Sequence, residues 1–251
     1  MKKLTIIIAI ILVFVACKKE HSKTTKAKEN IEPQMQTENS DNWIVLFDGT
    51  SFDGWHEYMT QGEISDEWSI ENNAMFFNPK EGRTVGGKNI VTNTEYTNFK
   101  LSIEWKISNA GNSGIFWGVK EDAKYKEAYE TGPEIQVLDN LGHPDAKVSD
   151  KLHQAGALYD MVEPSKDVTK PAGEWNKYII SINHKTNEGK VWLNDVKIIE
   201  FPLNGDGWDA MVANSKFKDW DGFGKFTTGK IGLQDHGDKV WYRNIKIQEL
   251  D

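Results

Sequence analysis

The feature that most constrains this chain is a two-residue alternation of apolar and polar side chains. In "NFKLSIEWKI" (98–107), Phe99, Leu101, Ile103, Trp105 and Ile107 alternate with Asn98, Lys100, Ser102, Glu104 and Lys106. Successive side chains of a strand point to opposite faces, so this run is a half-buried antiparallel strand. "NKYIISIN" (176–183), "GKVWLN" (189–194), "VKIIEF" (196–201), "GKIGLQD" (229–235) and "VWYRNIKI" (240–247) follow at short spacings broken by Gly, Asn and Asp. "LNDV" (193–196) predicts a hairpin turn between two of these runs. One helix is expected over "GWDAMVANSKF" (207–217), where Trp208, Met211, Val212 and Ser215 share a helical spacing. Many short strands with one or two short helices predict an all-β fold, a two-sheet jelly-roll sandwich. No repeat of propeller or β-helix length is visible.

The ends of the chain read differently. Met1, Lys2 and Lys3 precede a 13-residue apolar run, "LTIIIAIILVFVA", that stops at Cys17. Such a run is short for a membrane span and has the basic start of a secretory signal peptide. Ala16-Cys17 resembles a bacterial lipobox, with Phe14 where Leu is usual, and Cys17 is the single cysteine of the chain. Residues 1–17 are therefore expected to be a lipoprotein signal, with Cys17 as the lipidated residue and the lipid anchor as the one membrane contact. Residues 18–41, "KKEHSKTTKAKENIEPQMQTENSD", offer almost nothing to a core and read as a solvated tether. Lys18-Lys19 lacks the acidic tract of surface export, so the expected location is the cell envelope, on an outer membrane facing the periplasm. Residues 42–251 suffice for one large β domain. The formal net charge of -8 argues against nucleic-acid binding, since phosphate contacts need clustered Lys and Arg.

Ten tryptophans are many for one chain. Trp105, Trp175 and Trp192 lie in alternating strands and read as core. Trp117 lies in "GNSGIFWG" (111–118) between glycines that permit close approach, and reads equally as core or as facing a ligand.

"GPEIQVLD" (132–139) is unusual. Ile135, Val137 and Leu138 want a core, while Glu134 and Gln136 share one face, and a single bulged residue brings Asp139 round to join them. This strand resembles that of laminarinase-type β-glucanases, in which three acids line one face. Here Gln136 replaces the middle acid and the shorter Asp139 the last, which weakens a direct two-carboxylate mechanism. A solvated acidic face is the alternative for Asp139.

A broader resemblance rests on eight segments in order: "LFDGTSFDGW" (46–55), "GNSGIFWG", "GPEIQVLDN", "HPDA" (143–146), "AGALYD" (155–160), "PAGEWN" (171–176), "NSKF" (214–217) and "IGLQDHGDKVWYRNIKI" (231–247). Together they resemble the 3-keto-disaccharide hydrolase domain family over residues 43–250. That resemblance implies the concanavalin-like lectin/glucanase jelly roll and cleavage of glycosides already oxidised to a ketone at C3 of the sugar.

A C3 ketone acidifies the proton on C2, so its removal gives an enolate that can expel the C1 substituent. The protein must then supply a base, stabilisation for the enolate oxygen and an acid for the leaving oxygen. The candidates are Glu134 or His153 as base, with Lys216 and His236 as oxyanion or acid groups. Gln136 and Tyr159 are candidate hydroxyl binders, and Asp139, Trp117, Gln234 and Asp235 are further candidates for contact with the sugar. His56 and His143 are possible rim residues. No cofactor is implied. Glu134, Asp139 and His153 are suitable metal ligands by type, but their spacing matches no metal motif. A direct retaining glycosidase and a non-catalytic carbohydrate-binding module are the competing functions.

Overall fold

The computed structural model describes residues 42–62, 64–82 and 86–251; the expected signal peptide, Cys17 and the tether lie outside the described residues. Thirteen strands form among the described residues: β1 (Ile44–Phe47), β2 (Trp55–Glu57), β3 (Trp68–Glu71), β4 (Ala74–Phe77), β5 (Ile90–Tyr96), β6 (Phe99–Ile107), β7 (Asn112–Val119), β8 (Glu134–Leu138), β9 (Asn176–Asn183), β10 (Glu188–Leu193), β11 (Val196–Phe201), β12 (Gly229–Leu233) and β13 (Val240–Glu249). An eight-stranded sheet runs β11-β10-β9-β6-β13-β4-β3, with β1 also paired to β13, and a five-stranded sheet runs β2-β5-β12-β7-β8. The pairings are antiparallel, and the result is the two-sheet sandwich that the alternation predicts.

The alternating runs supply its core. Phe99, Leu101, Ile103, Trp105 and Ile107 are buried on β6 beside Tyr178, Ile180 and Ile182 of β9 and Tyr242 of β13. Ile115, Trp117, Ile135, Val137, Ile231 and Leu233 of the smaller sheet join the same cluster. Each such side chain contributes about 1.5–3 kcal/mol relative to exposure. The predicted hairpin is present: Leu193 pairs with Val196, and Asn194 and Asp195 both take positive φ, as a two-residue primed turn requires.

Polar pins cross this apolar layer. The Tyr178 hydroxyl on β9 donates to the Gln136 carbonyl on β8 at 2.8 Å. The Tyr242 hydroxyl on β13 meets the Ser113 hydroxyl of β7 at 2.7 Å, and Ser113 in turn donates to the Gln234 carbonyl at 2.6 Å. Burial raises both phenols above their ordinary titration range, so they remain protonated donors.

Three sequence expectations change. The helix α1 spans Gly205–Ala213 rather than 207–217. It stops because Asn214 Nδ2 donates to the Ala210 carbonyl and the Ser215 hydroxyl to that of Val212, local bonds that compete with another helical turn. Trp175 and Trp192 are only half-buried and lie outside the core cluster. Trp175 carries the Arg243 guanidinium 3.9 Å from its ring centre, while Arg243 pairs with Glu104 at 2.8 Å. Trp105 is core as expected, 1% exposed.

Candidate active site

Strand β8 places its side chains by register. Phe116 of β7 pairs with Glu134, Gly114 with Gln136 and Ile115 with Ile135, so Glu134 and Gln136 share the face turned away from the core while Ile135 and Val137 face it. That outward face is itself roofed. Tyr129, on a 3-10 turn (Ala128–Glu130), and Phe217, Trp220 and Phe223, beyond α1, enclose with it a cavity of about 370 Å³. All five residues of β8 are consequently buried, although the strand alternates in polarity.

Glu134 lies at the cavity wall and is 8% exposed. Burial pushes its carboxyl up to about 8; the nearby Lys216 charge opposes the shift and Asp145 adds to it. The carboxyl fits only because residue 114 is glycine: a Cβ there would overlap the Glu134 carboxyl. Segment 155–159 runs beside β8, with the Gln136 amide donating to Ala157, the Gly156 amide to Gln136, and the Tyr159 amide to Glu134. This pairing sets Tyr159 into the cavity next to Glu134. The Lys216 ammonium stands 4.2 Å over the Tyr159 ring.

His236 follows β12 and also lines the cavity. Its ring Nε2 is 3.4 Å from Asn112 Nδ2, and burial pushes its pKa below the ordinary value, with Asp238 opposing and His143 adding to the shift. His143 stands edge-on to it with ring centres 6.3 Å apart and does not itself line the cavity. His56 is elsewhere: its ring pairs with Glu121 at 3.1 Å. Gln136, Gln234 and Asp235 line the cavity as expected, and Asp235 is fully buried. Gln234 Oε1 and Asn112 Oδ1 are buried without a hydrogen-bond partner among the described residues. Buried acceptors are nearly always satisfied, so two open ones at a cavity wall mark places for a ligand's hydroxyl donors.

Three expected site residues fall outside this cavity. Asp139 does not swing round with Glu134, because β8 ends at Leu138. Its carboxylate instead accepts from the amides of Ala110 (2.8 Å) and Leu141 (3.2 Å), shaping the turn that follows. Trp117 points inward, since it follows Ile115 at two-residue spacing, and packs on Phe201 with ring centres 5.9 Å apart. His153 has no free ring nitrogen: Nδ1 faces Asp145 at 2.8 Å and Nε2 faces Asp160 at 3.0 Å. It stacks on Tyr159 at 4.3 Å, and the second oxygen of Asp160 accepts the Lys216 amide at 2.7 Å. His153 thus packs against Tyr159 and is linked through Asp160 to the backbone of Lys216. The metal grouping of Glu134, Asp139 and His153 is not assembled; among the described residues no three His, Cys, Asp or Glu side chains are placed to hold an ion.

Sequence reasoning missed Asn112, Tyr129, Phe217, Trp220 and Phe223. Asn112 and Phe217 sit inside the segments "GNSGIFWG" and "NSKF" and were legible there. Trp220, flanked by Asp219 and Asp221 in a polar stretch, was the other signal: an isolated aromatic among charges has no strand partner to pack against.

Comparison with known proteins identifies the family. A Bacteroides thetaiotaomicron protein named 3-keto-disaccharide hydrolase is 36% identical over 254 residues, covering 92% of this chain and 86% of the relative. A crystal structure from Parabacteroides distasonis with a provisional glycosyl hydrolase designation superposes with a TM-score of 0.74 at 32% identity, over 83% of this chain and 94% of that one. A second from the same organism gives 0.61 at 27% identity, over 84% and 100%. The pattern that defines the 3-keto-alpha-glucoside-1,2-lyase-like domain matches residues 42–248, and the chain belongs to that family.

Proposed function

We propose that this carbohydrate-active enzyme cleaves glycosides carrying a ketone at C3, by proton abstraction at C2 and elimination of the C1 substituent. The observation that carries the reading is a buried carboxyl, Glu134, at the wall of a cavity that Lys216 and His236 also line. Ionised, a carboxylate of raised pKa is a stronger base than an ordinary one, as removal of a carbon-bound proton needs.

The electrons of the C2–H bond pass into a C2–C3 enolate as Glu134 takes the proton. The Lys216 ammonium offsets the charge on the C3 oxygen. Collapse of the enolate restores the ketone, forms a C1–C2 double bond and breaks the bond from C1 to the leaving oxygen, which takes up the proton that Glu134 removed from C2 while the neutral His236 ring donates a hydrogen bond to it. Hydration reverses the transfers: a water oxygen adds to C1 as its proton goes to Glu134, which then delivers that proton to C2. The net change is hydrolysis. Gln234 and Asn112 accept from sugar hydroxyls through their open amide oxygens. A retaining glycosidase instead needs two carboxyl groups about 5–5.5 Å apart across the anomeric carbon. The partners that β8 offers are an amide, Gln136, and a carboxylate bound into a turn, Asp139.

Turnover of a matched pair of glucosides, one with a C3 ketone and one with a C3 hydroxyl, tests the reading. Release of aglycone is expected from the ketone alone. Equal release from the hydroxyl compound contradicts elimination. A second expectation concerns Gly114→Ala, which forces the Glu134 carboxyl aside at a position whose φ suits any residue. Misplacement by about 1 Å can cost about 10²-fold in kcat. Parental turnover in this variant means that the position of the carboxyl is immaterial.

A further inference from the structure

Tyr129 and Trp220 line a second cavity as well as the first. Its volume is about 410 Å³, and Tyr125, Glu130, Asp219, Asp221 and Gly222 complete it. The two shared rings lie 5.9 Å apart and tilted by 42°. Trp220 is braced edge-on by Phe217 at 5.1 Å and by Phe223 at 6.3 Å. On the other side the Tyr125 ring lies directly on Gly222, where a Cβ would overlap it. Aromatic faces of this kind stack on the apolar faces of sugar rings.

Segment 216–222 links the two spaces, since it presents Lys216 to the first cavity and Trp220 to Gly222 to the second. In the elimination described above, Glu134 and Lys216 act on C1 to C3 of the oxidised ring, so whatever is attached at C1 must extend out of the first cavity. The Tyr129–Trp220 wall leads into the second. Among the described residues the lining there carries three carboxylates, Glu130, Asp219 and Asp221, and no cation. Lys124, outside the lining, pairs with Asp221 at 2.5 Å and offsets one of them.

We propose that this second cavity receives the leaving group and selects a neutral or amine-bearing sugar over an anionic one; the proposal rests on the elimination reading. Hydroxyl and ammonium donors suit carboxylate acceptors, whereas a carboxylate on the leaving sugar meets charge of its own sign.

The test uses the protein with three 3-keto-glucosides whose leaving sugars are glucose, 6-amino-6-deoxyglucose and glucuronic acid. The charge then sits on the carbon remote from the bond that breaks, and the intrinsic leaving ability is similar. An exposed charge pair changes affinity by a factor of about 1.5–5, so kcat/KM for the amine should exceed that for the acid by about tenfold. In the Asp219→Asn/Asp221→Asn variant the ratio should fall to within about threefold. Equal kcat/KM across the series in the parent, or the parental ratio in the variant, overturns the proposal while leaving elimination intact. Failure of the parent to turn over any of the three overturns the elimination reading, and the proposal with it.

Discussion

Glu134→Gln should give a folded protein that turns over a 3-keto-glycoside about 10²–10⁴-fold more slowly, the usual cost of a lost acid–base group. Glutamine keeps the shape of the side chain and its fit against Gly114, but it accepts no proton from carbon. The same change should alter stability in a way that depends on pH. The folded-state pKa of Glu134 is raised to about 8 from 4.5, so between these values the folded protein binds more protons than the unfolded chain. Stability then falls as pH rises through this window, because ionising the buried carboxyl is costly. A shift of that size amounts to up to about 5 kcal/mol. Relative to the parent, Glu134→Gln should therefore gain melting temperature between pH 5 and pH 9. The parental kcat/KM should rise with pH to a plateau above about pH 8, as the carboxyl ionises, and this rise should disappear from any residual activity of the variant. A variant that keeps the parental rate, or a stability difference that ignores pH, would falsify the assignment of Glu134.

Ile135→Ala, one residue away, should do the opposite. Ile135 is fully buried on the inward face of β8 and has no place in the outward cavity. Truncating it removes apolar contact and leaves a void, at about 2–5 kcal/mol. Chemical denaturation should show a lower midpoint with an unchanged slope. The protein that remains folded should keep most of its turnover. Loss of rate without loss of stability would place Ile135 in the site instead. Adjacent residues of one strand thus separate function from support, because alternate side chains leave the sheet on opposite faces.

That alternation is also why the fold was legible. Strands β6, β9, β10, β11, β12 and β13 each announce a face, and the turn "LNDV" announces its hairpin. It misled at Trp175 and Trp192, where an aromatic on the outward face of a sheet looks the same in sequence as one on the inward face. Trp175 is covered by a cation rather than by another apolar layer. In the site, Glu134, Gln136, His236, Lys216, Tyr159, Gln234 and Asp235 were reachable from motifs and period. That His153 stands outside the cavity was not legible, because its two carboxylate partners, Asp145 and Asp160, flank it across loops that no periodicity describes. The aromatic roof was missed because Tyr129 and Trp220 come from irregular segments far apart in sequence.

The Tyr178 and Tyr242 hydroxyls that cross the core have a consequence for how such a site can diversify. They tie β7 and β8, which carry Gly114 and Glu134, to the opposite sheet through buried hydrogen bonds that a phenylalanine could not make. The floor therefore has no freedom of its own; displacing it means breaking buried hydrogen bonds. The roof is a single layer of irregular chain, from Tyr125 to Glu130 and from Phe217 to Phe223, and it can be recharged or resurfaced without disturbing either sheet. Under the elimination proposed above, chemistry and selectivity are housed in separable parts of the chain, so new substrates can be reached by rewriting about a dozen roof residues while Glu134 and Lys216 are left untouched.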